Sequence, residues 1–102
     1  MIHVIATIEL QPGKRAEFLQ HFHAIVPDVH AEEGGIEYGP TVDVVSGIPA
    51  QAAERENVAV IVEKWESLDA LKAHLVAPHM KVYREKVKSL VVGTTLHILE
   101  PA

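Results

Sequence analysis

Residues Val58 to Trp65, VAVIVEKW, decide the fold of this 102-residue chain. Successive side chains of a strand point to opposite faces, so Val58, Val60 and Val62 share one register while Ile61, Glu63 and Trp65 share the other. A strand with one face in water alternates apolar with polar residues. This one carries large apolar groups in both registers, so both of its faces call for cover. One cover is supplied by helices, as the flanking segments show. A bare apolar sheet face above a few hundred Å² is rare on a monomer, so a second copy of the chain is expected on the other.

On the N-terminal side, Ile2 to Leu10 (IHVIATIEL) alternates as a second strand. Pro12-Gly13 turns the chain, and Phe18, Phe22, Ile25 and Val29 then recur at the helical period. The spacing predicts a helix over about 14–33, with a kink or break at Pro27 and closure at Gly34-Gly35 by a left-handed cap. Ile36 to Val45 reads as a strand that Pro40 confines to a sheet edge, since proline donates nothing to a ladder. Ser46 to Asn57 is a long connection of the kind that forms a flap or insertion.

On the C-terminal side, Ser67 caps a short helix through Leu75, and Pro78 opens another that puts Met80, Tyr83, Val87 and Leu90 on one face. Gly93 is expected to end it, leaving Thr94 to Leu99 as the last strand. The order strand, helix, strand, strand, helix, strand gives an α+β fold. It is a ferredoxin-like sandwich of a four-stranded antiparallel sheet with helices on one face, dimeric through the other, with residues 1–102 forming one domain.

Composition narrows the function. Asp plus Glu outnumber Lys plus Arg by 14 to 9, and no basic cluster is present, so neither nucleic acid nor an anionic membrane surface is an expected partner. The absence of Cys removes thiolate chemistry and Cys-ligated metal. No apolar run is long enough to insert in a membrane, and the N-terminus lacks a basic segment followed by an apolar one, so a cytoplasmic location is expected.

Seven His stand in the chain, and imidazole is the side chain suited to proton transfer near neutral pH. His74 and His79 in AHLVAPHM are the most informative pair. On a continuous helix they would lie ~140° apart, but the proline between them can turn the second toward the same cavity. Each can equally be a capping or packing residue. Neither the spacing of five nor that of His21 and His23 matches a helical two-histidine metal site, so no metal is expected. Glu63 beside Trp65 could be a desolvated carboxylate that acts as, or orients, a base, or it could pair with a lysine or histidine. Tyr38 and Tyr83 combine an apolar body with a polar tip and could line a pocket or sit at the core boundary. Lys81, Arg84 and Lys88 form a basic helical stripe that is either solvated or phosphate-binding.

Three blocks carry a resemblance: VIATIELQPGK at 4–14, EEGGIEY at 32–38 and EKWESLDALKAHLVAPHM at 63–80. The chain resembles the antibiotic biosynthesis monooxygenase family over nearly its whole length. The IVPDV (25–29), YGPTVD (38–43) and HILEP (97–101) runs are most similar to its quinol-oxidising members. The resemblance implies oxygenation or oxidation of an aromatic quinol by O₂ in a homodimer, with no flavin, haem or metal cofactor. It also implies His74 or His79 as general base, Glu63 as orienting group, and an aromatic slot of Trp65, Tyr38, Tyr83, Phe22 and Met80. Haem-degrading relatives differ at the positions of Ala6 and Val76, where they carry Asn and a ligand His. A relative that isomerises a phosphorylated ketone shares the Pro-His element, which with the basic stripe supports a second reading. A third is a quinone-binding module without catalysis.

Overall fold

The alternating residues at the N-terminus form β1 (Ile2–Leu10), one of the two inner strands of the sheet in a computed structural model that describes residues 1–102. After the Pro12-Gly13 turn comes α1 (Arg15–His30), followed by β2 (Gly35–Thr41) and β3 (Val58–Trp65). Helices α2 (Leu68–Leu75) and α3 (Pro78–Val87) precede β4 (Val91–Leu99). The sheet is antiparallel in the order β2-β3-β1-β4, the α+β ferredoxin-like arrangement, with Pro40 on the edge strand where its missing donor is harmless.

Register decides which face each strand gives to the helices. Val4, Ala6 and Ile8 of β1 pair with Glu63, Ile61 and Ala59 of β3, and these six, with Leu10 and Trp65 on the same face, are buried against the helical layer. Phe18, Phe22 and Val29 of α1, Leu71 and His74 of α2, and Met80, Tyr83 and Val87 of α3 complete that core. Ile5, Val58, Val60 and Val62 occupy the opposite face and are only half-buried. β4 extends beyond the helices. Its Leu96 and Ile98 pair with Ala6 and Val4, so they lie on the helical side of the sheet, yet they stay half-exposed. No helix is long and apolar enough to cross a membrane.

Several boundaries differ from the sequence reading. α1 runs without interruption through Pro27; that residue and His23 are both exposed, so water can solvate the freed His23 carbonyl. The helix ends at His30 with a right-handed cap at Ala31, and the positive φ of 82° falls later, on Gly34. β2 stops at Thr41, so residues 42–57 are all connection. Its two limbs are held together by the Asp43 carboxylate, which accepts from the Arg55 backbone N–H at 2.9 Å and from its guanidinium at 2.9 and 3.0 Å. α3 ends before Gly93, which lies inside β4 opposite Glu9; sheet pairing there overrides the breaker signal.

Ser67 caps α2 by accepting from the Ala70 N–H at 3.1 Å, and that helix abuts the turn at Gly34. A Cβ on Gly34 would stand 2.6 Å from the Ala70 Cβ, whereas one on Gly47, also at positive φ, would meet nothing within 4 Å. Gly34→Ala should therefore lose clearly more than the ~1–2 kcal/mol of left-handed strain expected of Gly47→Ala, as read by urea denaturation.

Candidate active site

Trp65 is fully buried at the end of β3, and its indole N–H donates to Glu63 Oε1 at 3.0 Å. The two side chains meet because residues two apart on a strand share a face. The same indole packs against the His74 ring, with centroids 4.6 Å apart, and Tyr38 meets that ring edge-on at 5.2 Å. His74 is 2 % exposed and comes from the inner face of α2, three residues after Leu71.

His74 is oriented by Glu32, not by Glu63. Its Nδ1–H donates to both Glu32 oxygens, at 3.0 and 3.2 Å, and His79 Nε2–H donates to Glu32 Oε2 at 2.7 Å. A carboxylate only accepts, which places the His74 proton on Nδ1 and leaves Nε2 with its lone pair. The five-residue spacing of the histidines is reconciled by the chain between them. Ala77 is extended (φ −62°, ψ 143°) and Pro78 restarts the helix, which brings His79 round to the same carboxylate. His79 is 24 % exposed at its side chain and does not line the cavity described next.

That cavity, of about 450 Å³, lies between the helices and the sheet. Phe22, Tyr38, Ile61, Met80 and Tyr83 wall it, and Glu63 and His74 reach into it. Trp65 stands behind this lining rather than in it, buttressing Glu63 and His74. Phe22 stacks on Tyr38 at 5.1 Å and meets Tyr83 edge-on at 5.9 Å, which fixes the aromatic walls. The mouth opens toward Leu96 and Thr94 of β4, with Arg84 and Lys88 of the basic stripe on its rim and Lys81 exposed elsewhere. The Arg84 guanidinium donates to the Leu75 carbonyl at 2.6 Å.

His74 Nε2, Glu63 Oε2 and the hydroxyls of Tyr38 and Tyr83 have no protein partner, yet none is sealed from accessible space. These are the polar atoms that a molecule in the cavity would meet. Burial lowers the His74 pKa against the opposing pull of Glu32, so the ring is neutral at pH 7 and able to accept a proton. Burial pushes Glu63 up to about 7, a rise that the Trp65 N–H moderates and the Glu32 charge reinforces. Burial raises both tyrosines, so they stay protonated donors. No three His, Asp or Glu side chains are arranged to hold a metal ion.

Glu32 is the residue sequence reasoning missed. It lies next to the exposed Glu33 in the turn before Gly34, and adjacent glutamates in a turn give no sign of which one faces inward.

The fold is a small ferredoxin-like α+β domain, and comparison with known proteins gives its family. The chain belongs to the antibiotic biosynthesis monooxygenase family, whose pattern matches residues 1–86. It is 43% identical over 103 residues, covering 99% of this chain and 98% of the relative, to the protein named "Probable quinol monooxygenase YgiN" in Escherichia coli (strain K12). It is 33% identical over 91 residues, covering 89% and 86%, to YcnE of Bacillus subtilis (strain 168). Among solved structures, a conserved protein of Methanosarcina mazei Go1 shares the fold with a TM-score of 0.84 at 20% identity, over 99% of this chain and 92% of that one. The chain is thus a monooxygenase-type enzyme by resemblance.

Glu63 makes a stability prediction. Its folded pKa of about 7 exceeds the ordinary 4.5, so the native state holds a proton that the unfolded chain releases between those values. The resulting stabilisation is complete below pH 4.5 and lost as pH rises through 7, a change of ~3 kcal/mol. Glu63→Gln removes it. Urea melts should show the variant gaining on the wild type by about that amount between pH 4.5 and pH 8.

Proposed function

We propose that residues 1–102 form one domain of a cofactor-independent quinol monooxygenase or oxidase, which acts on a small aromatic quinol with O₂ in the cytoplasm. One observation carries this reading: a neutral, buried histidine, oriented by a carboxylate, opens its free nitrogen onto an aromatic cavity of about 450 Å³. The family membership and the name of the E. coli relative support the substrate class.

A quinolate is itself a strong one-electron donor to O₂. The protein then has to remove a hydroxyl proton, hold the anion and keep water away. His74 Nε2 takes the proton, and Glu32 stabilises the imidazolium that forms, as a carboxylate does for a catalytic histidine elsewhere. The protonated hydroxyls of Tyr38 and Tyr83 donate to the developing oxyanion, while Phe22 and Met80 hold the ring. His79 acts indirectly, by fixing Glu32. Arg84 and Lys88 on the rim favour a second reading, isomerisation of a phosphorylated ketone by the same base. Proton exchange into the substrate without oxygen uptake would select that reading, and tight quinone binding with neither would select a binding module.

Oxygen uptake by the metal-free protein over a panel of quinols is the test. His74→Gln should lower kcat by ~100-fold or more and Glu32→Gln by roughly tenfold, with far-UV circular dichroism unchanged. Full turnover in His74→Gln would remove the base from this scheme.

The working unit in this proposal is a homodimer joined through the open sheet face, where Ile5, Val58, Val60 and Val62 need cover. Sedimentation should give twice the 11.2 kDa of one chain. Val60→Lys, a charge at the centre of that face, should shift the protein to monomer at micromolar concentration.

A further inference from the structure

Glu63 is a buried carboxyl that the scheme above leaves unused. One of its oxygens accepts from the Trp65 indole, and the other has no protein partner and reaches the cavity that His74 also enters. The two groups flank one side chain: Glu63 takes the N–H of Trp65 while His74 packs on its ring. Tyr38, which pairs with Glu63 across the sheet, also meets the His74 ring edge-on. Two proton-accepting atoms, His74 Nε2 and Glu63 Oε2, thus face one apolar chamber from a shared support.

We propose that Glu63 is the second proton acceptor of the cavity, and that His74 and Glu63 together select aromatic substrates with two ionisable hydroxyls over those with one. The proposal rests on the quinol reading and deepens it. The two acceptors differ in strength as the chemistry requires. The first hydroxyl of a quinol is a weak acid and needs the imidazole. Once one electron has passed to O₂, the remaining hydroxyl of the semiquinone is far more acidic, and a carboxylate suffices.

The balance closes with O₂ as the only oxidant. One hydroxyl proton goes to His74, and one electron reduces O₂ to superoxide. The second hydroxyl proton goes to Glu63, and the second electron takes superoxide to peroxide. Peroxide recovers both protons, so quinone and hydrogen peroxide leave and both side chains return to their starting states. A group titrating near neutrality can serve in both directions, and burial puts Glu63 there. The groups facing it are Trp65 on β3, Tyr38 on β2, the neutral His74 on α2, Tyr83 on α3 and Glu32 in the α1–β2 turn; no basic side chain forms an ion pair with it.

Trp65 is the only Trp of the chain and a direct reporter of this carboxyl. Its emission should step with a midpoint near pH 7 in the wild type, and that step should be absent in Glu63→Gln, leaving only a change at lower pH from the His74 ring packed on the indole. In anaerobic titrations at pH 8, hydroquinone should quench it with an affinity at least ~10-fold above that of 4-methoxyphenol, which has one hydroxyl. The preference should collapse in Glu63→Gln. With O₂, the same variant should lose kcat about tenfold, raise KM for hydroquinone in step with the lost affinity, and lose the limb near pH 7 from its rate profile; Glu63→Asp should recover part of each. Equal affinity for the two phenols in the wild type, no binding of either, or an unchanged kcat in Glu63→Gln would overturn the assignment. Discrimination between the phenols without oxygen uptake from any quinol would instead uphold the recognition by Glu63 and sink the oxidase reading.

Discussion

The burial of one indole organises the protein. Trp65 closes the helical side of β3 and is wholly removed from water, a placement whose loss by truncation costs about 3–5 kcal/mol in comparable cores. An indole cannot be buried comfortably with its N–H unpaired, so the strand supplies an acceptor two residues back, Glu63. That solution brings a carboxyl into an apolar interior, where desolvation raises its pKa. The ring face that remains is covered by His74. Packing and chemistry therefore share their cause: the groups that satisfy Trp65 are the ones that can move protons.

The second constraint is the carboxylate of Glu32. It ties the turn after α1 to α2 through His74 and to α3 through His79, so three elements distant in sequence meet on one side chain. The close fit of Gly34 against Ala70 sets the distance at which this turn approaches α2. The His74 imidazole thereby has a fixed tautomer and orientation, the pre-organisation that the proposed proton transfer requires.

The cavity is bounded by the helices and the sheet and reaches exposed residues of β4. Helices cover β1, β2 and β3 but leave the helical side of β4 half-exposed, so the entrance lies along Leu96 and Thr94 beneath the rim of α3. The opposite sheet face, with its half-buried valines, has no helix at all. One sheet thus separates a chemical chamber from an apolar surface, the division that the double apolar register of β3 required.

Much of this was legible in the chain. Alternation along residues 2–10 and 58–65, the helical period of Phe18, Phe22 and Val29, the Ser67 cap and the Pro78 start depend on local geometry, so the sequence determined the elements and their order. It also placed Glu63 with Trp65, because a period of two needs no tertiary information. What only the tertiary structure decided was which register of β3 faces the helices, which glutamate of the pair at 32 and 33 turns inward, and that His79 serves Glu32 from outside the cavity. Those outcomes depend on contacts between residues more than 40 positions apart, and charge partners brought together by folding leave no periodic trace along the chain.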